Sequence, residues 1–387
     1  MNLEPSTRGL FRVALCAPLL AMLFTARGLG ADVVEELQKP PTNAETAAVL
    51  SEFTQNPNAA EAHANNAVVY GAWNGPALID GIPPGFKVIG GDIVVPEAFG
   101  EGGVAATYNT NLWPDGIIPY EFDPNVTPAN AAAMLVAMTW WENVAAVDFV
   151  PRGGVVGVIS YVHIQNSTGN NSAVGMVNGI QFINIFNWNT TAIMAHELGH
   201  ALGYWHEQSR LDSSIYVTIN YANVCQNCCS GGPCNSQFQQ EPTSDHYGPY
   251  DFDSVMQYGR CSFSTNAAAC NASCPSAVGE TLVVNPPYFS TWHCAVGQRT
   301  HLSYWDTLVM SFMYARADWR FQRSSLGNDL FFPGDFFLPY SSFSKGYDDT
   351  PPGGTLWILE PSTFAVGPVL DKPMTIGAPL GGVTLTR

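Results

Sequence analysis

Thr191 to Arg210 reads T-A-I-M-A-H-E-L-G-H-A-L-G-Y-W-H-E-Q-S-R. His196 and His200 are spaced so that on a helix they share one face, about one turn apart. Two imidazoles so placed suit a single Zn²⁺, with Zn–N bonds of about 2.0–2.1 Å. Glu197 follows the first of them, where its carboxylate reaches water held at the site. Gly203 lets the helix stop, because glycine enters the left-handed cap conformation without a Cβ clash. The chain then turns and His206 returns to the same ion. Three protein ligands leave one position open for chemistry, which marks a catalytic zinc site and not a structural one. The chain has 8 histidines, and three of them fall in this one pattern. A helix bearing three solvent-facing or internally satisfied histidines is the competing reading.

The extended form H-E-x-x-H-x-x-G-x-x-H resembles the metzincin pattern of zinc peptidases. Downstream, Ser254-Val255-Met256-Gln257-Tyr258-Gly259 has the form of a Met-turn, with Met256 as a soft thioether floor beneath the metal. Tyr258, and Glu207 directly after the third histidine, make the chain resemble the astacin family of metzincins. The likeness continues through R-L-D-S-S-I-Y-V-T-I-N-Y-A-N-V (Arg210 to Val224), L-W-P-D-G-I-I-P-Y around Trp113 and V-D-F-V-P-R around Phe149. It spans roughly residues 104–314.

That resemblance implies an α+β fold: a metzincin-like zinc protease domain with a twisted mixed sheet and an active-site helix, two sub-domains flanking the cleft. It implies one Zn²⁺ held by His196, His200 and His206, with Tyr258 as a further ligand at rest that swings off to hydrogen-bond an oxyanion. Glu197 is then general base and, later, general acid. The activity implied is endoproteolysis of protein or peptide substrates by activated water. A non-catalytic secreted binding or surface protein on the same fold is the alternative; loss of a ligand or of Glu197 would favour it, and none is lost.

Composition bounds the compartment. The 387 residues are 46% hydrophobic and 12% charged, enough for a buried core. Lys plus Arg is 15 against 32 for Asp plus Glu, a formal charge of -17. With no basic run to neutralise phosphates, nucleic acid is excluded as a partner. Residues 1–30 read as a signal peptide: Arg8 and Arg12 precede an apolar run, Val13 to Phe24, shorter than the ~20 residues a membrane helix needs. No later stretch is long enough to span a bilayer, so the sequence predicts a secreted protein without a membrane span. Setting aside Cys16 in the leader, Cys225, Cys228, Cys229, Cys234, Cys261, Cys270, Cys274 and Cys294 remain. An even count in an oxidising compartment predicts disulfides, in a connectivity the sequence does not select. The cluster C-Q-N-C-C-S-G-G-P-C leaves a second metal open as the other reading. The resemblance also exposes a departure. The positions of the family's two usual bridges are here Ala146 with Asp318 and Asn170 with Trp188.

Residues 31–103 read as a propeptide, with a short helical patch over Pro41 to Phe53. Ile89-Gly90-Gly91-Asp92 resembles the family's latency motif with Ile in place of Phe. Asp92 would then occupy the metal's open position in the latent form; an ordinary G-G-D turn is the other reading. By resemblance the mature chain begins near Val104, and its new ammonium group is buried against Glu207. No Lys or Arg lies between Lys87 and Arg152, so a trypsin-like activating protease is not expected.

Within residues 104–314 the sequence predicts strands over Ile117–Phe122, Val147–Val150 and Ile159–Ile164. It predicts a helix capped by Thr127 with Pro128 at its first position. On that helix Met134, Met138, Trp141 and Ala145 form a core stripe. Gln181 to Ile185 is either the edge strand that pairs with substrate or an internal strand. Ser303 and Asp306 read as a capping pair before a helix whose apolar side carries Leu308, Val309, Phe312 and Met313. His246, His293 and His301 read as structural. Residues 315–387 form a small β-rich segment, with short strands near Thr355–Leu359, Met374–Ile376 and Val383–Thr386. Rungs of a β-helix and edges of a small sandwich are both open.

Overall fold

The computed structural model describes residues 68–97, 112–227 without 155, 156 and 158, 234–365 without 243 and 245, and 370–386 without 371. Cys16, the signal segment, the Pro41–Phe53 patch and Val104 lie outside these residues. Among the described residues, 68–310 belong to one compact unit and 311–386 to a second.

The first unit is built on a mixed seven-stranded sheet. Its strands are β1 (Phe86–Ile89), β2 (Ile93–Pro96), β3 (Ile117–Phe122), β4 (Asp148–Pro151), β5 (Tyr161–Asn166), β6 (Asn171–Ala173) and β7 (Ile180–Ile185), in the order β1-β2-β6-β7-β5-β3-β4. β1–β2 and β6–β7 are antiparallel; the other neighbours are parallel. Side chains alternate between faces. Ile118, Tyr120 and Phe122, Val162 and Ile164, and Ile183 and Ile185 therefore share one face, and all are buried.

Helices α1 (Pro128–Glu142) and α2 (Thr191–Leu202) pack on each other, and α2 packs on β6 and β7. Thr127 caps α1 by accepting from the Asn130 N–H at 3.2 Å. The predicted stripe Met134, Met138, Trp141 and Ala145 is fully buried. The Trp141 indole donates to Ala195 O of α2 at 2.9 Å, and Trp113 donates to Ala201 O at 2.9 Å. Two tryptophans thus fix the zinc-motif helix from outside its own sequence.

Three sequence expectations shift. β4 and β5 start one and two residues later than expected, and Ile159 is 80% exposed. β7 is internal, flanked by β5 and β6. The strand that borders the catalytic segment is β6, and β2 lies along it in parallel, Ile93 opposite Ser172 and Val94 opposite Ala173.

At one site of a missing family disulfide, hydrogen bonds stand in. Asn170 Oδ1 accepts from the Phe186 and Asn187 N–H groups at 2.8 and 3.0 Å, and Trp188 donates to Asn166 Oδ1 at 3.0 Å. Cys261–Cys270 and Cys274–Cys294 are disulfides, and Cys225 and Cys234 are disulfide-bonded too, so neither of these last two is a thiolate ligand; Cys228 and Cys229 lie outside the described residues. The last helix, α3 (Tyr304–Met313), contains the division between the units. Ser303 and Asp306 cap it reciprocally, each N–H to the other's side chain at 2.9 Å.

In the second unit, β8 (Trp319–Gln322), β9 (Thr355–Ile358) and β11 (Thr375–Gly377) form one parallel sheet. β10 (Ser362–Ala365) and β12 (Val383–Thr386) form another parallel pair. Thr355 lies opposite Thr375 and Ser362 opposite Val383, so two consecutive strands stack on the next two in the manner of rungs. Phe343 of α4 (Phe343–Asp349), Leu356, Ile358, Met374 and Ile376 fill the core beneath them.

Gly199 gives a test of packing in the first unit. Helix propensity alone favours alanine there by about 1 kcal/mol. A Cβ would, however, meet Met256 Sδ at 2.9 Å and Trp141 Cζ2 at 3.2 Å. Gly199→Ala is expected to lower the urea midpoint, with a net loss of about 1–2 kcal/mol; a raised midpoint would contradict this packing.

Candidate active site

α2 carries His196, Glu197 and His200 on consecutive turns, all buried. It ends as the sequence predicts: Gly203 has φ 119° and closes the last turn. The chain reverses and brings His206 back. Ring tautomers follow from the partners. His196 Nδ1 lies 2.8 Å from Val255 O, and His200 Nδ1 lies 2.7 Å from Tyr204 O. A carbonyl only accepts, so each Nδ1 carries the hydrogen and each Nε2 presents a bare electron pair. These Nε2 atoms converge: His200 to His206 is 3.2 Å, and His206 to His196 is 3.3 Å.

Asp92 completes the cluster. Its Oδ1 is 2.9 Å from His206 Nε2 and 3.7 Å from His200 Nε2, and its Oδ2 is 3.3 Å from His196 Nε2. The tight β1–β2 turn through Gly90 (φ 58°) and Gly91 (φ 96°) presents it; a Cβ on Gly91 would meet the Tyr258 hydroxyl at 2.4 Å. The G-G-D stretch is thus a turn, and that turn is what brings the carboxylate to the three rings. Four ligand atoms of tetrahedral zinc, at about 2.0–2.1 Å each, sit about 3.3–3.4 Å apart. Three nitrogen electron pairs and a carboxylate at this spacing repel unless a cation lies between them, so the donor set fits zinc. Burial pushes the His196 imidazole down to about 3 and lowers His206 as well, which keeps both rings neutral.

The Met-turn locks this arrangement. Met256 is 2% exposed, beneath Gly199. Val255 O holds His196, Met256 O accepts from the Glu207 N–H at 3.4 Å, and Gln208 Oε1 accepts from the Tyr258 N–H at 3.0 Å. Asp306 of α3 pins the turn in place. Its carboxylate accepts from Val255 N–H at 2.8 Å and from the Ser254 hydroxyl at 2.6 Å.

Tyr258 donates its hydroxyl to Gly90 O, and that hydroxyl lies 3.3 Å from Asp92 Oδ1. Glu197 Oε2 is buried without a hydrogen-bond partner; burial, then the charge of Asp92, raises its pKa well above the usual carboxylate range. Glu207 Oε1 accepts from Asp251 N–H at 2.8 Å and from Arg210 at 3.1 Å. Arg299 is the residue that sequence reasoning missed. It donates to Gln257 O at 3.1 Å and Gln298 O at 2.7 Å, and burial lowers its pKa. Its charge acts on Asp92, Tyr258 and Glu197. Nothing in its local sequence, G-Q-R-T-H, distinguishes it from a surface arginine.

The other described histidines stay apart from the site. His301 pairs with Asp253 at 2.8 Å, and His246 is 3.8 Å from Asp212. His293 lies in a second cluster with Glu280 and Cys274. Cys274 there is in a disulfide, and His293 Nδ1 accepts from Val284 N–H, so that group is a structural network.

The model of the astacin family, a peptidase family, matches residues 105–315. The chain belongs to the astacin family. Zinc metalloproteinase nas-31 of Caenorhabditis elegans is 34% identical over 166 residues, 42% of this chain and 26% of that protein. Tolloid-like protein 1 of Homo sapiens is 34% identical over 206 residues, 52% of this chain and 19% of that protein. The solved structure of high choriolytic enzyme 1, a hatching enzyme zinc-protease from Oryzias latipes, is 25% identical and aligns with a TM-score of 0.45 over 55% of this chain and 98% of that one. The chain thus spans about a fifth to a quarter of these two curated relatives. The astacin family is one of zinc metalloproteinases, in keeping with the donor set found here.

Added Zn²⁺ is expected to raise the melting temperature of metal-stripped protein, because a ligand that binds only the folded state stabilises it by about 4 kcal/mol at 1,000 times its Kd. His200→Ala should abolish the shift; a shift of equal size in that variant would place the ion elsewhere.

Proposed function

We propose that this astacin is a secreted zinc endopeptidase made as a latent zymogen, with one ion held by His196, His200 and His206. The observation that carries the reading is the convergence of three Nε2 electron pairs beside the partnerless carboxylate of Glu197. Disulfides and the N-terminal apolar run support export. Among the described residues no helix is long and apolar enough to cross a membrane.

When bound, the ion supplies a Lewis acid that acidifies water and polarises a carbonyl. Glu197 takes the proton of the attacking water and returns it to the leaving amine. Val255 O and Tyr204 O hold the His196 and His200 rings in orientation throughout. Tyr258, freed from Gly90 O, donates to the oxyanion, an interaction worth roughly 3–4 kcal/mol. In the latent chain Asp92 fills the substrate's place, and β2 lies on the β6 edge that an extended substrate would use. Removing residues up to about Val104 clears both. Protein or peptide substrates and an activating protease are the partners this requires.

Processed protein is expected to hydrolyse a quenched-fluorescent peptide library. Chelator should abolish the activity, and Glu197→Gln should lower kcat by roughly 10²–10⁴-fold. Metal-loaded, processed protein with no turnover would sink the reading in favour of a binding protein. Arg299 sharpens the substrate class. Once Asp92 withdraws, the buried guanidinium, which among the described residues donates to two carbonyls and to no carboxylate, keeps its charge near Glu197 and Tyr258, which favours an acidic substrate side chain. Arg299→Ala should cut kcat/KM for peptides with Asp or Glu beside the scissile bond by about 10- to 100-fold, with neutral peptides changed little.

A further inference from the structure

The geometry points to a peptide-binding site on the outer face of the large sheet, built from residues other than those of the metal centre, whose occupant is the chain's own segment 69–81 and which holds that segment after the chain is cut. This rests on the reading of residues 31–103 as a removable propeptide.

The alternation that sends Ile118, Val162 and Ile183 inward sends Glu121, His163, Gln165, Phe182, Asn184 and Asn171 to the opposite face. A sheet face so polar ordinarily meets water. Here Glu121, His163, Gln165, Asn171 and Asn184 are only 0–7% exposed. The cover is the chain preceding the latency turn. Gly71 N–H donates to Phe122 O, and Phe122 N–H to Val69 O, each at 2.9 Å, so the segment adds a short rung beside β3. The Trp73 ring meets Phe182 edge-to-face with centroids 5.0 Å apart. Gly81 O accepts from Gln165 Nε2 at 3.3 Å and from Asn184 Nδ2 at 3.2 Å.

The receiving groups are preset. Gln165 Nε2 donates to Asn184 Oδ1, and Asn184 Nδ2 to Asn171 Oδ1, both at 2.7 Å, a relay of carboxamides across three strands with its donors aimed at one incoming carbonyl. Such preorganisation spares the ordering cost of binding. The fit is also selective. Gly81 has φ +81°, and a Cβ there would meet Asn184 Oδ1 at 2.6 Å. A Cβ on Gly71 would meet Glu121 Oε2 at 2.4 Å. That carboxylate cannot easily retreat, because Arg152 holds it at 2.9 Å and His163 at 3.0 Å. The ligand class is therefore an extended peptide with glycine at two close approaches and an aromatic residue between them. None of these hydrogen bonds involves Asp92 or a histidine of the metal centre. Cutting near Val104 leaves both attachments in place, and loss of the Asp92 contact leaves this one.

The test uses the full chain with a site-specific cleavage sequence inserted between residues 98 and 103. After cutting, native mass spectrometry and size exclusion follow the N-terminal fragment, with and without chelator. The fragment is expected to stay with the remaining chain in the otherwise unchanged protein and in Asp92→Ala. With Asp92 intact, Trp73→Ala combined with Gly81→Val should release it at least about tenfold faster. Gly71→Val, made separately, should act in the same direction. All these substitutions leave with the fragment, so the retained chain is identical in every sample, and circular dichroism and zinc content of the uncut proteins check that each has folded. Immediate loss of the fragment in Asp92→Ala, or equal release rates in all variants, would overturn the proposal. Because proteolysis is not the readout, a protein that holds its fragment in Asp92→Ala yet stays inactive once the fragment has been stripped away sinks the functional reading alone. An active one that sheds it at once in Asp92→Ala sinks only this one.

Discussion

Three imidazole electron pairs pointed at one place constitute the constraint on which the first unit depends. Left alone they repel, and an aspartate added to them repels further. The fold overrides that repulsion by fixing two of the rings from behind: Val255 O and Tyr204 O hold the Nδ1 hydrogens of His196 and His200. Those carbonyls belong to the Met-turn and to the turn after Gly203, so the site's geometry is set by backbone and not by flexible side chains. Asp306 extends the chain of support, since one carboxylate both caps α3 and restrains Ser254 and Val255. The cost of burying it is offset by three hydrogen bonds from neighbouring N–H and O–H groups.

The same constraint explains the N-terminal cover. With a cation held among the rings the cluster would attract an anionic ligand, and the β1–β2 turn delivers one. Glycines at 90 and 91 let the backbone pass close to His206 and Tyr258, where a side chain would not fit. Further back, the cover crosses a polar sheet face. Polar residues there suit a face whose cover is hydrogen-bonded to it, as Gly81 O is to Gln165 and Asn184.

The second unit obeys different physics. Its strands pair in parallel, Thr355–Ile358 and Ser362–Ala365 each hydrogen-bonded to the strand that comes two later, and its core is apolar. Of the two architectures open from sequence, the parallel registers favour stacked rungs. β8 and β10 went unrecognised because W-R-F-Q and S-T-F-A are four residues each, too short for a period to stand out from the surrounding loops.

The sequence by itself determined the local features. The histidine spacing on α2, the stop at Gly203, the Thr127 cap and the Met134–Trp141 stripe all follow from periods of 3.6 residues and from backbone preferences of single residues. Tertiary structure alone decided which strand borders the catalytic segment, that Arg299 comes to the site, that Asp306 braces the Met-turn, and that Gln165, Asn171 and Asn184 form one cradle. Those outcomes depend on contacts between residues far apart in the chain, and local periodicity carries no record of which distant strand or loop will pack alongside.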